Sequence, residues 1–419
     1  MISAYSTALS GLNADSTAID VIGNDLANLN TTGYKGSELQ FSTLMSEQLG
    51  VSGTAGQLGM GVAQVAASSL YTQGSIQTTG GPTDAAIQGN GFFVVQNQSG
   101  QTLYTRDGSF TVNSTGQLVD ASGDLVQGWS AAAGGTVNTN GAIGNIKVPL
   151  GATIAATATT SMSMAINLNS TPSTTSTPAT FSAPIQVVDS LGTSHTLTAT
   201  FTNTGSNSWS YSLAIPASDL TQGGTTTVAS GTLNFNSSGQ LTTPAATSDP
   251  QQVQITGLAD GAANMTVGWN LYDPKTGAGN ITQFAEPSAV SNTTQNGYAA
   301  GQINSVSLQN GGLLVATYSN GQQVTAGQLA LASIGNPDSL NSVGNNNLAA
   351  TAATAAPVIG TAGTGSRGTI VAGALEASTV DIASEFTRLL TFERSYQANS
   401  RVITTDDQLT QETVNLIHA

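Results

Sequence analysis

Catalysis near neutral pH usually needs a histidine, a thiolate or a matched pair of carboxylates. The chain holds no cysteine and only two histidines, His195 and His418. Zero Cys excludes thiolate chemistry, a disulfide framework and zinc-finger sites together. His195 alternates within a Thr-rich strand pattern and His418 is next to last, so neither has an evident partner for general-base work. Each reads as a satisfied or solvated surface histidine. The run Gly192-Thr193-Ser194-His195-Thr196 approaches a nucleophile elbow but lacks the second glycine and the strand-to-helix context, so it reads as a β-turn. Gly363 to Gly368 spells GxGxxG, whose glycines would let backbone amides approach a pyrophosphate. No βαβ pattern surrounds it and Glu376 follows too early for a ribose-binding acid, which leaves a flexible loop. Asp107, Asp120 and Asp124 share turns with glycine but form no calcium-loop series, and Asp189, Asp219 and Asp260 lie at turns rather than as acid pairs in a cleft. Asn97-Gln98-Ser99 is a formal glycosylation sequon with no secretory signal ahead of it. The expectation is no catalytic, cofactor-binding or metal residue, and no enzyme.

Composition narrows the partners. Among 419 residues there are 8 Lys+Arg against 23 Asp+Glu, a formal net charge of −15, and charged residues reach only 7%. An average soluble protein has about 25%. Thr, Ser, Asn, Gln and 48 Gly fill the difference, so the surface is neutral and polar. So few basic side chains cannot neutralise a run of phosphates, which excludes nucleic acid and anionic membrane as main partners. The first basic residue is Lys35, so no basic region precedes an apolar signal core, and no apolar run approaches the ~20 residues of a spanning helix. The chain is expected either to be cytoplasmic or to leave by a route without a cleaved signal.

The elements are sorted by position. Ile2, Tyr5, Leu9, Leu12, Ile19 and Leu26 recur in steps of three and four, with Ser16 and Gly23 in the gaps, which predicts a helix of about 28 residues closed by Asn28, Asn30 and Gly33. Ile382, Phe386, Leu389, Tyr396, Ile403, Thr410, Val414 and Ile417 repeat the stepping at the other end, weakened by Glu393, Ser400 and Asp407 and capped by Ser378 or Thr379. Both stripes are expected to pack against each other or against other subunits. Residues 92–129 read as a β meander turning at Asp107-Gly108, Ser114-Thr115-Gly116 and Ser122-Gly123. A second β set alternates Leu197, Ala199, Phe201 with Thr196, Thr198, Thr200 and continues through Trp209, Tyr211, Leu213, Ile215, Val253, Ile255, Val267, Trp269 and Leu271. A third spans Val306 to Leu331 with an Asn320-Gly321 hairpin turn.

Boundaries are expected in the Thr/Ser/Ala-rich run from Gly151 to Thr180, with Pro172 and Pro178, and from Glu286-Pro287 to Gly297. The predicted fold is mixed and mainly β, with long terminal α-helices forming a coiled coil and two nested β domains between them. Its parts are a terminal helical domain (1–34 and 378–419), connectors (35–70 and 366–377), an inner β domain (71–145 and 288–365) and an inserted outer β domain (146–287).

These residues resemble a known family. Ala8-Leu9-Ser10-Gly11-Leu12-Asn13-Ala14, Val21 to Asn28, and Asn30-Thr31-Thr32-Gly33-Tyr34-Lys35 are similar to the N-terminal signature of bacterial flagellar rod and hook axial proteins, and Glu385-Phe386 with Tyr396 to Asp406 resembles the matching tail. Gly89 to Phe93, Tyr104 to Phe110, and Gly373 to Ser378 resemble the β domain shared by that family. Asn24, Asn28, Gly33, Tyr34, Lys35 and Asn399 are the motif positions carried over. Rod members resemble the two ends alone, whereas hook members hold an additional β domain in the middle, as this chain does. The resemblance implies a structural subunit whose terminal helices line an axial channel in a tubular helical polymer, a universal joint that couples rod to filament and transmits torque. Implied partners are further copies of the chain, rod, hook-cap and hook-filament junction proteins and the export apparatus, with no cofactor, nucleic acid or membrane insertion. The implied location is the extracellular flagellum, reached without a cleaved signal peptide. The longer connector from Met45 to Gln57 is also a distal-rod feature, and the distal rod is the alternative within the family. Of other classes, a secreted β-rich carbohydrate-binding protein or enzyme shares the composition but leaves the helical ends unexplained, and an adhesin of β repeats would need a fixed period that is absent.

Overall fold

The computed structural model describes residues 2–44, 47–49, 56–132, 134–171 and 179–417. Met45, most of the Gly-rich segment after it, Pro172, Pro178 and His418 lie outside them. Two long helices stand at the ends, α1 (Ile2–Ala27) and α2 (Ile382–Ile417). α1 stops where the Asn28 amide reaches back to the carbonyls of Asn24 and Asp25 (3.2 and 3.1 Å) and the chain turns through Gly33 at φ +68°. α2 starts at a different cap from the one expected. Asp381, not Ser378 or Thr379, accepts the Ser384 amide at 2.8 Å, and its charge also suits the positive end of the helix. Thr379 Oγ1 instead accepts the Gly36 amide at 3.0 Å.

Between the helices the chain is β and divides into two compact units. The first comprises Met1–Leu150, Ser305–Thr317 and Gln323–Ala419, the second Gly151–Asn304 and Tyr318–Gln322. In the first unit the five strands read in 92–129 form but not as a meander: Thr102–Thr105 pairs with Phe92–Gln96 and Asn347–Ala349 rather than with Thr111–Val112, and the third β set joins the sheet. Strand Leu125–Ser130 pairs near its start with Phe92–Gln96 (Val126 opposite Val95) and near its end with Gln323–Leu329 (Trp129 opposite Gln328). Leu331–Ser333 also pairs with Phe92–Gln96, placing Leu331 opposite Phe93. Phe93, Val94, Val95, Leu314, Leu329 and Leu331 are fully buried, and Phe93 meets Phe110 edge-on at 5.0 Å. The segment after Lys35 is an antiparallel ribbon, Ser37–Thr43 against Val62–Ser69, extended by Glu47–Leu49 against Gly56–Leu58.

The second unit packs two sheets around one core. One runs Thr180–Val188, Ser194–Gly205, Ser208–Ala214, Thr227–Phe235, Leu241–Thr243, all antiparallel. The other is built on Ser161–Asn169, whose Met162, Met164, Ile166 and Leu168 point inward beside Trp209, Phe201 and Trp269. Here the sequence reading needs correction. Both stretches expected as boundaries contain strands, because Ser161–Asn169 pairs antiparallel with Ala289–Gln295 (Ser163 opposite Thr294). The strict alternation of Ser-Met-Ser-Met-Ala-Ile-Asn-Leu-Asn has strand periodicity, but its outward residues share the composition of a linker.

The helix ends are tied to the first unit by a buried ionic cluster. Glu376 is 0% exposed, and its carboxylate accepts Lys35 Nζ at 2.6 Å, Arg106 Nη1 at 3.1 Å and the Gly74 amide at 2.8 Å. The Glu376 carbonyl accepts the Gly33 amide at 2.8 Å. Lys35 also donates to Thr72 O at 2.6 Å, and Arg106 donates to Gly89 O at 2.9 Å while lying over the Phe92 ring. Burial pushes the Lys35 ammonium below its ordinary pKa, and the Glu376 carboxylate only partly offsets this. A Cβ at Gly33 would sit 2.6 Å from the Arg106 backbone, so the turn that delivers Lys35 to this cluster requires glycine.

Removing the single anion leaves two cations facing each other out of water, whereas removing one cation leaves a pair intact. Glu376→Gln should therefore destabilise the first unit by roughly 3–5 kcal/mol, and Lys35→Met by clearly less. Denaturant unfolding of both variants checks the order, and equal losses would show that the cluster is not governed by charge.

Candidate functional site

With no catalytic constellation expected, the candidate site is the surface offered by the helix pair. α1 and α2 face each other within the first unit. One stripe of α1, Ala8, Gly11, Asp15, Ala18, Ile22 and Asp25, is buried or half-buried and, apart from Ile22, made of small and polar residues; α2 meets it at Gly11 and Asp15. Asn399 Nδ2 donates to Asp15 Oδ2 at 2.9 Å, and a Cβ on Gly11 would lie 2.7 Å from that same nitrogen. The helices approach closely because glycine and alanine occupy the contact. Farther along, Phe392 meets Phe41 of the ribbon at 6.2 Å between ring centres, and Arg388 pairs with Glu38 at 2.9 Å.

This stripe keeps the same three-and-four stepping as the expected apolar seam but is displaced by one residue, about 100° around the helix. The larger side chains therefore lie on a neighbouring face. Tyr5 and Leu9 are exposed, Leu9 by 40%, while Leu12, Ile19 and Leu26 are half-buried. On α2, Ile382, Phe386, Tyr396 and Val414 are exposed, Phe386 by 51%, and Leu389 and Ile403 are half-buried. Leu390, Val402 and Leu409 add to the exposed apolar surface without having been picked out by the spacing. Ile2 and Ile417 are helical, with side chains outside those described.

The motif positions turn out to be a lock at the α1 exit. Asn28 Nδ2 donates to Asn24 O at 2.9 Å, and Asn24 Nδ2 donates to the Tyr34 hydroxyl at 2.9 Å. That hydroxyl donates to Asp25 Oδ1 at 2.8 Å, while Asp25 Oδ2 accepts the Ser37 amide at 2.8 Å. Burial and the adjacent Asp25 hold the Tyr34 phenol far above its ordinary pKa, so it stays a donor. Asp15, Asp25, Arg106 and Glu376 were not singled out as functional. Their signal was available: in a chain with 7% charge, an ionisable residue inside an apolar or Gly-rich motif has to be paired.

Two further expectations fail. The GxGxxG loop is held rather than flexible: Arg367 donates to Thr361 O and Thr364 Oγ1 at 3.1 and 2.7 Å, and a strand, Thr369–Ala372, follows it instead of a helix. His195 is not a surface residue and does have partners. It is 4% exposed, with Nε2 3.0 Å from Asp189 Oδ2 and Nδ1 3.1 Å from Asp219 Oδ2. Burial opposes its charge, but the two carboxylates outweigh burial and raise its pKa. Burial likewise opposes ionisation of Asp189, yet hydrogen bonds from Asp260, His195 and the backbone amides of its turn bring it down to about 2. Strand parity held the clue, since His195 lies on the same face as Leu197, Ala199 and Phe201.

Comparison with known proteins agrees with the terminal helices and the β units. Residues 6–35 match the flagella basal body rod protein family and 371–416 the C-terminal region of flagellar basal body rod FlgEFG proteins. Residues 86–167 match the D1 domain of flagellar hook protein FlgE/F/G, and 156–298 the D2 domain of flagellar basal body protein FlaE. The flagellar hook protein FlgE of Escherichia coli is 34% identical over 99% of this chain and 100% of its own length. That of Treponema pallidum is 32% identical, again over 99% and 100%. The crystal structure of Helicobacter pylori flagellar hook protein FlgE2 aligns with 65% of this chain and 93% of its own at a TM-score of 0.47 and 12% identity. Matches at both helical ends and full-length identity above 30% establish that this chain belongs to the flagellar hook protein FlgE family.

Proposed function

We propose that the chain is the structural subunit of a flagellar hook, polymerising into a flexible tube through its terminal helices. The observation that carries this reading is the exposed apolar face that runs along both helices while a separate small-residue stripe joins them. A helix with two differently built faces has one contact inside the subunit and one left for a neighbour. Heterologous contacts of that kind that do not close a ring build a helical filament. Full-length similarity to proteins named as flagellar hook proteins favours the hook over the distal rod. On this reading the helices form the coiled-coil lining of an axial channel, and the second unit is an outer domain nested in the first. The other partners are the rod, the hook cap, the hook-filament junction proteins and the export apparatus, which delivers the chain without a cleaved signal.

The outward residues of the second unit fit a joint whose subunits slide. Ser291, Asn292 and Thr293 on one sheet and Gln186, Ser194 and Thr196 on the other are exposed and offer weak, exchangeable polar contacts. Such contacts can be traded for one another or for water at small cost, unlike fixed ion pairs.

Burying one of these apolar side chains is worth about 1.5–3 kcal/mol, and an aspartate in its place adds an unpaired charge. Leu12→Asp and Leu389→Asp should therefore abolish polymer formation and leave the β units melting as in the parent protein. Ala18→Leu overfills the internal stripe and should act the other way, loosening the helix pair of the monomer by roughly 1–3 kcal/mol. Calorimetry of soluble subunit beside sedimentation of polymer separates the two faces; a large loss of monomer stability in Leu12→Asp would remove the interface assignment.

If the second unit is nested, excising Gly151–Asn304 and joining Leu150 to Ser305 should leave a chain with a cooperative melting transition that still sediments as polymer. Cutting at 146–287 should do worse, because Ala289–Gln295 would lose Ser161–Asn169, the strand it pairs with. Circular dichroism of the two deletions decides the matter, and an unfolded product from both would rule out nesting.

A further inference from the structure

We infer that Asp189, His195 and Asp260 form a binding site for a divalent transition-metal ion of the zinc class, with Asp219 positioning the imidazole. One ligand atom from each of the three ligating residues lies within 4.8 Å of the others. His195 Nε2 is 3.0 Å from Asp189 Oδ2 and 3.9 Å from Asp260 Oδ2. Ligands about 2.0–2.1 Å from a tetrahedral metal stand roughly 3.3 Å apart, so these gaps bracket the required spacing with little movement.

The carboxylates are arranged alike. Asp189 Oδ1 accepts the amides of Leu191, Gly192 and Thr193 at 2.8, 2.7 and 2.9 Å. Asp219 Oδ1 accepts the Ser218 hydroxyl at 3.0 Å, and Asp260 Oδ1 accepts the Ala262 amide at 3.1 Å. Each carboxylate thus spends one oxygen on its own turn and turns the other, Oδ2, toward the imidazole. The turns are themselves tied together, since Ala259 N donates to Asp219 O at 3.0 Å and Ala263 N to Ser190 Oγ at 3.0 Å.

Charge asks for a cation here. Three carboxylates converge on a single imidazole, and Asp189 and Asp260 are within hydrogen-bond reach of each other. Among the described residues no Lys or Arg pairs with any of them. Three carboxylates leave a net negative charge even beside a protonated imidazole, and a divalent ion taking the place of the Nε2 proton lowers that excess further. Asp219 accepts from Nδ1 at 3.1 Å, which leaves the Nε2 lone pair for the metal, an arrangement of carboxylate, histidine and ion that fixes the tautomer. Imidazole among the donors favours zinc, cobalt or nickel over calcium and magnesium, which take oxygen. The Asp219 and Asp260 side chains are 26% and 28% exposed, so the ion has a path from solvent. Bound there, it would cross-link the turns of Asp189 and Asp260 to the strand that carries His195.

Zinc titration of the full-length chain at pH 7.5, by calorimetry and equilibrium dialysis, should show one saturable equivalent, and cobalt at the same site should give visible d–d absorption. His195→Gln should abolish the saturable equivalent. Asp260→Asn, at a half-exposed position whose loss leaves the core alone, should weaken it by about tenfold or more and so serves even if His195→Gln does not fold. Asp219→Asn should lower affinity about 10–100-fold and shift the bound cobalt spectrum, which a merely structural role would leave in place. Absence of a saturable equivalent in the parent chain, or undiminished binding in both His195→Gln and Asp260→Asn, would overturn the site.

Discussion

One fully buried carboxylate decides how the ends of this chain meet its middle. Glu376 is fully buried, and Lys35 and Arg106 bring cations to its carboxylate from opposite directions in sequence. Lys35 arrives on the chain leaving α1, Arg106 follows strand Thr102–Thr105, and Glu376 itself stands just before α2. A single ionic contact therefore requires that the N-terminal exit, the β core and the C-terminal entry be in place together. Gly33 is glycine for the same reason, because its amide donates to the Glu376 carbonyl while its α-carbon passes against the backbone of Arg106. Such a cluster contributes little net stability compared with apolar packing, but it penalises every arrangement in which one member is missing. For a subunit that has to carry force between its helices and its β unit, a joint that is either complete or strongly unfavourable is suitable.

The two faces of α1 follow from the same economy of shape. Helices that carry large side chains on both sides stay about 10 Å apart, whereas glycine and alanine let backbones come closer. By giving Ala8, Gly11 and Ala18 to the internal contact, the chain frees Leu9, Leu12 and Ile19 for another. The one-residue offset means that both stripes obey the same stepping, and a pattern search that rewards size sees only the larger one. The apolar periodicity marks a helical face and is silent about which partner that face has.

Much of the architecture was legible for a plain physical reason: period two and period three-to-four survive any composition. The helices and the alternation through Phe201 and Trp269 came from period, and the Asn320-Gly321 turn from its residue types. What was missed came from composition standing in for structure. Ser161–Asn169 and Ala289–Gln295 are strands whose outward residues are Ser, Thr and Asn, so their segments resembled linkers. The cap at Asp381 was passed over because Ser378 and Thr379 offered the same chemistry three and two residues earlier. Ionisable residues were the other gap. Spacing along the chain says nothing of a triad drawn from positions 35, 106 and 376, or of an imidazole meeting acids from three turns, because those meetings are made by the fold.

The rarity of charge gives the described ion pairs a common meaning. Lys35, Arg106 and Arg388 join segments hundreds of residues apart or a helix to its ribbon, and Arg367 fixes the loop that leads to the last strands. The Lys35 and Arg106 contacts to Glu376 are buried, whereas the Arg388–Glu38 pair is exposed. The faces of the second unit that look outward are instead neutral hydroxyls and amides. Charge fixes distance, because separating a desolvated pair costs several kcal/mol, whereas an exposed hydroxyl loses almost nothing when water replaces its neighbour. Buried charge therefore holds the Lys35–Glu376–Arg106 joint, while the exposed strand faces of the second unit carry mostly hydroxyls and amides. Part of the acidic composition has a local reason, since Asp107, Asp120, Asp189, Asp249, Asp260, Asp273 and Asp381 accept backbone amides at turns and caps, where a carboxylate satisfies donors the turn leaves unpaired.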